Sequence, residues 1–191
     1  ERVTEIGEFA FVGCSGLTGN LTIPSSVKTI GAGAFQECSG LTSVTIPNSV
    51  TTIERSAFQS CTGLTSVTIP NSVTEIGSSA FQGCTGLTSV TIPNSVTTIE
   101  RSAFQSCTGL TSVTIPESVT TIGERAFYGC SGLTTIYCKP NTPPSVWDDN
   151  TFGTTSNCVL YVPTGCAEAY RNYTVNTLKA FPFKNIIETN F

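Results

Sequence analysis

The chain has 191 residues, of which 9 are Lys or Arg and 13 are Asp or Glu, so its formal net charge is −4 without any histidine. A weakly acidic chain without clustered cations lacks the charge that binding to a phosphate backbone requires, which argues against nucleic acid as a partner. The absence of histidine removes the commonest general base, and 32 threonines and 21 serines give the surface many hydroxyl groups.

A period of 23 residues runs through most of the chain. The segment from Val50 to Ser72 recurs from Val96 to Ser118 with one change, because Glu117 takes the place of Asn71. Fixed spacing of this length is typical of a solenoid, in which each repeat forms one coil and covers the next. Two residue types mark the period most clearly: Cys38, Cys61, Cys84, Cys107 and Cys130, and Phe35, Phe58, Phe81, Phe104 and Phe127.

The first half of each repeat predicts two short strands with a corner between them. Leu64, Val67 and Ile69 alternate with Ser66 and Thr68, as the inward positions of a strand do. Proline cannot donate to a ladder of hydrogen bonds, so its recurrence after this strand indicates a corner. A second apolar pair follows the corner in every repeat, as Val73 and Ile76 do here, and predicts a second short extended segment.

The second half of each repeat predicts one turn of helix. Ala80, Phe81 and Cys84 are spaced so that they share one helical face, because positions i and i+3 do so. Gly86 follows, and we expect it to end the turn in a left-handed conformation. Stacked at about 4.8 Å, such coils would align equivalent side chains in columns, with the rings of Phe58, Phe81 and their equivalents next to one another.

After the regular repeats, the chain predicts two further coils and an ending. Ile136 and Cys138 occupy the inward strand positions, and Leu160 and Val162 occupy them again 24 residues later. The residues from 165 to 191 lose the period and carry several apolar side chains that are suited to covering the last coil. We therefore expect a single domain over residues 1–191, with regular repeats at 1–138, an irregular coil at 139–164 and a C-terminal cap at 165–191.

The segments GLTSVTIPNSVTTI and AFQSC resemble the bacterial BspA-like leucine-rich repeat family of surface proteins, over residues 3 to 138. The later Leu160-Tyr161-Val162-Pro163 is similar to the last coil of that family. The resemblance implies an α/β repeat solenoid, a right-handed stack of coils with short parallel strands and one helical turn per repeat. It also implies attachment to host or extracellular-matrix proteins, or to other cells, without catalysis. An extracellular or cell-surface location follows from the same resemblance.

The nine cysteines need a separate explanation in a protein of that kind. Equivalent cysteines on stacked coils would lie too far apart to bond, so we expect six reduced, buried thiols in one column, which includes Cys14. Cys138 occupies an inward strand position, which leaves Cys158 and Cys166 as a pair that is either bonded or free. A nucleophilic cysteine requires an activating base or cation, and none is indicated.

No cofactor or metal site is expected. The acidic run Asp148-Asp149-Asn150 is the one candidate for a hard cation, and three adjacent residues do not make a coordination shell. We read this run as a polar loop. The chain also contains no apolar run long enough to cross a bilayer.

The candidate binding surface is the outward face of the main strands. Tyrosine and tryptophan are enriched in binding hot spots, whereas serine and threonine also suit any exposed strand, so the aromatic residues are the stronger candidates. The candidates are Ser66, Thr68, Ser89, Thr91, Ser112, Thr114, Thr135, Tyr137, Tyr161 and Trp147.

Three functions remain open for this face. The first is recognition of a host or matrix protein, or another cell, by a monomeric chain, with a glycan as another possible ligand. The second is a passive spacer without a ligand, which the near-identity of the repeats favours. The third is ice binding by regular rows of hydroxyl groups. Enzymatic activity is not expected without histidine.

Overall fold

The computed structural model describes residues 2–146, 150–153, 158–175, 178–179, 181 and 183–191. Within them lie seventeen short strands and one short helix. In chain order these are β1 (Glu5–Ile6), β2 (Gly19–Thr22), β3 (Thr29–Ile30), β4 (Leu41–Thr45), β5 (Thr52–Ile53), β6 (Ser66–Thr68), β7 (Glu75–Ile76), β8 (Ser89–Thr91), β9 (Thr98–Ile99), β10 (Ser112–Ile115), β11 (Thr121–Ile122), β12 (Thr135–Cys138), β13 (Ser145–Val146), β14 (Val159–Pro163), α1 (Ala167–Asn172), β15 (Thr174–Val175), β16 (Leu178–Lys179) and β17 (Asn185–Thr189).

The strands stack into a parallel β-solenoid of about 7 turns. The main sheet has eight parallel strands in the order β17-β14-β12-β10-β8-β6-β4-β2, so each coil contributes one strand beside that of its neighbour. The second sheet is formed by β5, β7, β9, β11 and β13, and β1 pairs with β3 at the N-terminal end. The two short extended segments predicted for each repeat are therefore confirmed.

The core is a set of parallel columns between the two sheets and the turn segments. Leu64 and Val67 enter it from the main sheet, Ile76 enters it from the second sheet, and Phe81 and Cys84 enter it from the turn. The phenylalanine column confirms the predicted stacking, because neighbouring rings lie 5.3–5.8 Å apart between centroids and within 8° of parallel. Burial of these apolar side chains is the main stabilising contribution to the coil.

The predicted helical turn in each repeat is wrong. The segment from Glu54 to Cys61 forms successive tight turns, in which Ala57, Gln59 and Cys61 donate to carbonyls three residues earlier. The N–H groups of the intervening residues Ser56, Phe58 and Ser60 instead donate hydrogen bonds to carbonyls of the next coil. A helix needs consecutive N–H groups to bond within the segment, so this alternation excludes one. The only helix among the described residues is α1, which lies after the regular repeats.

Left-handed residues within each turn segment are the local cause of this backbone. Ser56 and Ser60 have φ values of 57° and 59°, and glycine occupies equivalent positions at Gly33 and Gly83. The expectation that Gly86 is left-handed is wrong, since the left-handed glycine of its repeat is Gly83. Gly86 serves close approach instead, because a Cβ placed on it would lie 2.6 Å from the carbonyl oxygen of Thr62 in the preceding coil.

We expect Ser60→Gly to raise the free energy of unfolding. A left-handed conformation costs an L-residue about 1–2 kcal/mol, and glycine adds about 0.5–1 kcal/mol of chain entropy to the unfolded state. The net gain is about 0.5–1 kcal/mol, measurable by urea denaturation. Ser66→Gly is the matched control, because Ser66 lies in the extended strand β6, where glycine is expected to lower stability. A loss of stability from both substitutions would contradict the explanation.

The two ends of the solenoid differ. At the N-terminal end, Phe11 is 39% exposed and Cys14 is exposed, so the expectation that Cys14 is a buried thiol is wrong. At the other end, β17 adds a strand to the main sheet, and the Tyr170 hydroxyl of α1 donates to the Pro140 carbonyl at 2.7 Å. The helix α1, the antiparallel pair β15–β16 and β17 all lie within the predicted cap at 165–191, whose boundary stays a prediction.

Candidate functional site

The outward face of the main sheet carries two rows of side chains. The register places Ser112 between Ser89 and Thr135, and it places Thr114 between Thr91 and Tyr137. The row that contains Thr114 is called the outer row, and it changes character along the solenoid. Its members are Thr22, Thr45, Thr68, Thr91, Thr114, Tyr137, Tyr161 and Ile187.

The C-terminal end of the outer row is aromatic and apolar, and it is partly exposed. The rings of Tyr137 and Tyr161 stack with centroids 5.0 Å apart, and Phe191 meets the Tyr137 ring edge-on at 6.4 Å. Ile187 pairs with Tyr161 on the next strand and is 44% exposed, and Phe191 is 49% exposed. We call Tyr137, Tyr161, Ile187 and Phe191 the apolar patch.

The Tyr137 ring is covered unequally by its two neighbours in the outer row. Tyr161 stacks on one side of it, whereas the neighbour on the other side is the much shorter Thr114. Tyr137 remains 37% exposed, although it lies within a sheet whose inward residues are buried. An apolar group of a partner can therefore stack on this ring above the threonines of the outer row.

A cleft of about 300 Å³ lies beside the apolar patch, at the corner where the main strands end. In the regular coils this corner is filled by Pro70, Pro93 and Pro116, which are buried. The register places Lys139 at the next equivalent position, since Ile115 pairs with Cys138. The cleft is lined there by Lys139 and by Glu117, Asn141, Asn190 and Phe191, among others.

The charged groups of this cleft have no oppositely charged partner within the described residues. The ion pairs found among the described residues lie outside this cleft: Glu124 pairs with Arg101, at 3.5 Å, and with Arg125, at 3.4 Å. The Lys139 ammonium instead lies 5.3 Å from the centroid of the Phe191 ring, a cation–π distance. Glu117 and Lys139 thus place a negative and a positive group in the same cleft.

The sequence-predicted site residues are not all brought together. Tyr137 and Tyr161 are in contact, and Thr114 and Thr135 lie beside them, whereas Ser66 and Thr68 lie three strands away from Tyr137. Trp147 lies outside the described residues, as do Asp148 and Asp149.

Sequence reasoning missed Ile187, Phe191 and the role of Lys139. The signal for Ile187 was present, because Ile186 takes the inward position that Leu160 takes one coil earlier, with a spacing of 26 residues. This longer spacing concealed the strand. Phe191 and Lys139 carry no pattern of their own, and only the folded chain brings them together.

The buried thiols are poorly suited to act as nucleophiles. Each cysteine of the column from Cys38 to Cys130 donates to a phenylalanine carbonyl of the preceding coil, as Cys84 does to Phe58 at 3.1 Å. Desolvation by burial raises the pKa of Cys61 to about 12, and it raises the pKa of Cys158 to about 11. The pKa of Cys84 is raised further for the same reason. Cys158 and Cys166 are both free.

These thiols predict a loss of stability at alkaline pH. A thiol of the unfolded chain ionises near pH 8.5–9, whereas the folded pKa of Cys61 is about 12, so the folded state holds more protons between these values. The stabilisation is complete below the unfolded pKa and is lost as the pH rises through the folded pKa. Once the pH exceeds the unfolded pKa, we expect the free energy of unfolding to fall by about 1.4 kcal/mol per pH unit for each buried thiol, measured by urea denaturation between about pH 9.5 and pH 10.5 under reducing conditions.

Alanine substitutions separate this effect from general alkaline destabilisation. Cys61→Ala should reduce the dependence of stability on pH, because it removes one buried thiol. Val73→Ala is the matched control, since it shortens a fully buried side chain that carries no titratable group, and it should leave the pH dependence unchanged. Equal effects of the two substitutions would contradict the assignment to the buried thiol.

The described ranges contain no group of three or more Cys, Asp or Glu side chains placed to hold a metal ion. The one helix found there, α1, has 6 residues, and no described helix has the length and apolar character needed to traverse a bilayer.

Comparison with known proteins places the repeats in a defined group. A family model described as BspA type leucine rich repeat region matches six copies, over residues 1–111 and 51–176. A search of the curated proteins found no match. Among solved structures, a leucine rich repeat protein of T. pallidum is 31% identical, with a TM-score of 0.77, and the match covers 94% of this chain and 81% of that protein.

Two more distant structures share the fold. The pneumococcal vaccine antigen PcpA is 17% identical with a TM-score of 0.53, and the match covers 100% of this chain and 60% of that protein. A leucine-rich repeat protein from Eubacterium ventriosum is 18% identical with a TM-score of 0.50, with 96% and 70% covered. At these identities the likeness concerns the coil architecture alone.

Proposed function

Because this chain belongs to the BspA-type leucine-rich repeat family, whose repeats suggest protein interaction, we propose that it is a non-enzymatic recognition module of a bacterial cell surface. Its partner is a host or extracellular-matrix protein, or a protein on another cell. The main observation in support of this proposal is that the outer row changes from threonines to the apolar patch at Tyr137.

The composition of the patch supports a protein partner. Exposed tyrosines beside other apolar side chains are enriched among the residues that dominate binding energy. Tyr137, Tyr161 and Ile187 lie on adjacent strands of one sheet, so the patch is held in place before binding. A preformed surface loses little conformational entropy when a partner binds.

The hydroxyl rows have a secondary role in this proposal. The serine and threonine side chains near the patch supply polar contacts around an apolar centre, which is the usual arrangement of an interface. Those proposed to take part, with the nearest to the patch first, are Thr114, Thr135, Ser112, Thr91, Ser89, Thr68 and Ser66.

The test is a binding assay with surface-immobilised matrix proteins and intact host cells. We expect Tyr137→Ala to weaken binding at least tenfold, because a hot-spot residue contributes about 2 kcal/mol or more. Tyr128→Ala is the matched control, since Tyr128 is 38% exposed, against 37% for Tyr137, and belongs to the turn segment rather than the main sheet. Circular dichroism checks that both variants remain folded.

The rival function is a passive spacer without a ligand. It is favoured by the near-identity of the segments 50–72 and 96–118, because a specific binding surface usually breaks the symmetry of its array. Absence of binding to every matrix protein and cell type, by a chain that is folded, would favour the spacer. Equal binding by the Tyr137→Ala and Tyr128→Ala variants would place the interface elsewhere on the solenoid.

A further inference from the structure

The departures from the repeat converge on one corner of the molecule. Glu117 is the single difference between the segments 50–72 and 96–118, where the equivalent residue is Asn71. Lys139 takes the position that a buried proline holds in the preceding coils. Both residues line the same cleft, together with Phe191, which lies two residues after β17.

The cleft and the apolar patch form one continuous surface. Phe191 belongs to both, because its ring meets Tyr137 on one side and lies beneath the Lys139 ammonium. A bound segment that stacks on Tyr137 therefore extends directly into a cleft that holds a carboxylate, an ammonium group and the amides of Asn141 and Asn190. Asn190 is already held in place, since its Oδ1 accepts a hydrogen bond from Thr164 at 2.8 Å.

We propose that this corner binds a polypeptide loop that presents one acidic and one basic side chain on either side of an apolar residue. The acidic side chain pairs with Lys139, the basic side chain pairs with Glu117, and the apolar residue packs against Tyr137. This inference rests on the proposed function and specifies the chemistry of the partner.

Charge complementarity favours such a loop over other ligands. The side chains that line the cleft carry one charge of each sign, and neither has an oppositely charged partner among the described residues. A polyanion would meet a single ammonium group beside a carboxylate, in a protein of net charge −4. A neutral glycan would leave the Lys139 ammonium and the Glu117 carboxylate unpaired on binding. A peptide segment with one acidic and one basic side chain pairs with both groups, and the two ion pairs fix its orientation.

The experiment is an NMR titration of the ¹⁵N-labelled full chain with capped pentapeptides. The probe is acetyl-Gly-Lys-Leu-Asp-Gly-amide, and its neutral counterpart is acetyl-Gly-Gln-Leu-Asn-Gly-amide. We expect the charged peptide to shift the amide signals of Asn141, Asn190 and Tyr137, and the neutral peptide to bind about two- to fivefold more weakly, because exposed ion pairs have effects of that size. Cellotriose tests the glycan alternative.

Substitutions at the corner identify the residues that carry the charge preference. Glu117→Asn restores the residue found at Asn71 and Asn94, so the fold is expected to tolerate it, and it should remove most of the preference for the charged peptide. Lys139→Gln should act in the same direction. Asn71→Glu is the matched control, because it adds the same carboxylate two coils away, and it should leave peptide binding unchanged.

The outcomes distinguish this inference from the proposed function. Equal binding of the charged and neutral peptides, stronger binding of cellotriose, or no shift with any probe would overturn the inference. If Tyr137→Ala abolishes attachment to matrix proteins while Glu117→Asn and Lys139→Gln leave it unchanged, the proposed function stands and the charge assignment fails. Attachment that is weakened strongly by Tyr137→Ala and two- to fivefold by Glu117→Asn and Lys139→Gln supports both.

Discussion

Gly86→Ala is expected to destabilise the solenoid by about 3 kcal/mol or more. A Cβ at this position would lie 2.6 Å from the Thr62 carbonyl oxygen and 3.2 Å from that of Leu64, both in the backbone of the preceding coil. The Gly86 N–H also donates to the Thr62 carbonyl at 3.1 Å, so the two coils cannot separate without losing this hydrogen bond. Backbone shifts that make room for a methyl group in a packed site cost about 1–3 kcal/mol, and this one also breaks a bond between coils.

Urea denaturation measures this loss, and hydrogen exchange locates it at the amides around Thr62 and Gly86. Gly83→Ser is the matched control, because serine occupies the same left-handed position in other coils, at Ser60 and Ser106. It should cost only about 1 kcal/mol. If Gly83→Ser proves to be the more damaging substitution, the close approach of coils is not the reason for glycine at position 86.

Phe81→Ala is expected to cost about 3–5 kcal/mol. The ring is fully buried and stacks between Phe58, at 5.5 Å, and Phe104, at 5.4 Å. Its removal leaves a cavity in the middle of the column, and each neighbouring ring is fixed by its own coil, so the space cannot close fully. The loss therefore combines the transfer free energy of the side chain, the cavity and two aromatic contacts.

Phe11→Ala provides the comparison at the end of the same column. Phe11 has one stacked neighbour, Phe35 at 5.3 Å, and it is already 39% exposed, so its substitution should cost less than half as much as Phe81→Ala. Equal losses at the two positions, measured by urea denaturation, would show that the column does not derive its stability from burial.

The regular part of the fold could be predicted because, in a solenoid, residues one period apart in the sequence lie next to each other on adjacent coils. Once Phe58 and Phe81 occupy equivalent positions of stacked coils, their contact follows without further information. The turn segment could not be predicted in this way. Ala80, Phe81 and Cys84 have helical spacing, yet successive tight turns give the same inward direction, and what decides between them is whether the alternate N–H groups bond across coils.

The candidate site was predictable only in part. Tyr137 and Tyr161 follow from the strand register, which the period supplies. The contributions of Lys139 and Phe191 depend on how the last coil closes over the stack, and this is set by contacts such as that between Arg171 and the Ile186 carbonyl, at 3.1 Å. Contacts of this kind have no equivalent in the repeats, so the period of the sequence could not predict them.

The near-identity of the segments 50–72 and 96–118 leaves their pairing partners almost interchangeable. Backbone ladders and core columns alone give nearly the same energy whether a coil stacks on its own neighbour or on the equivalent coil of another chain. Unique contacts resolve this degeneracy: the Ala167 N–H donates to the Glu188 carboxylate at 2.9 Å, and the Tyr170 hydroxyl lies 3.4 Å from the Cys138 sulfur. The last coils, which carry these unique contacts, therefore have only one place in the stack, at its C-terminal end.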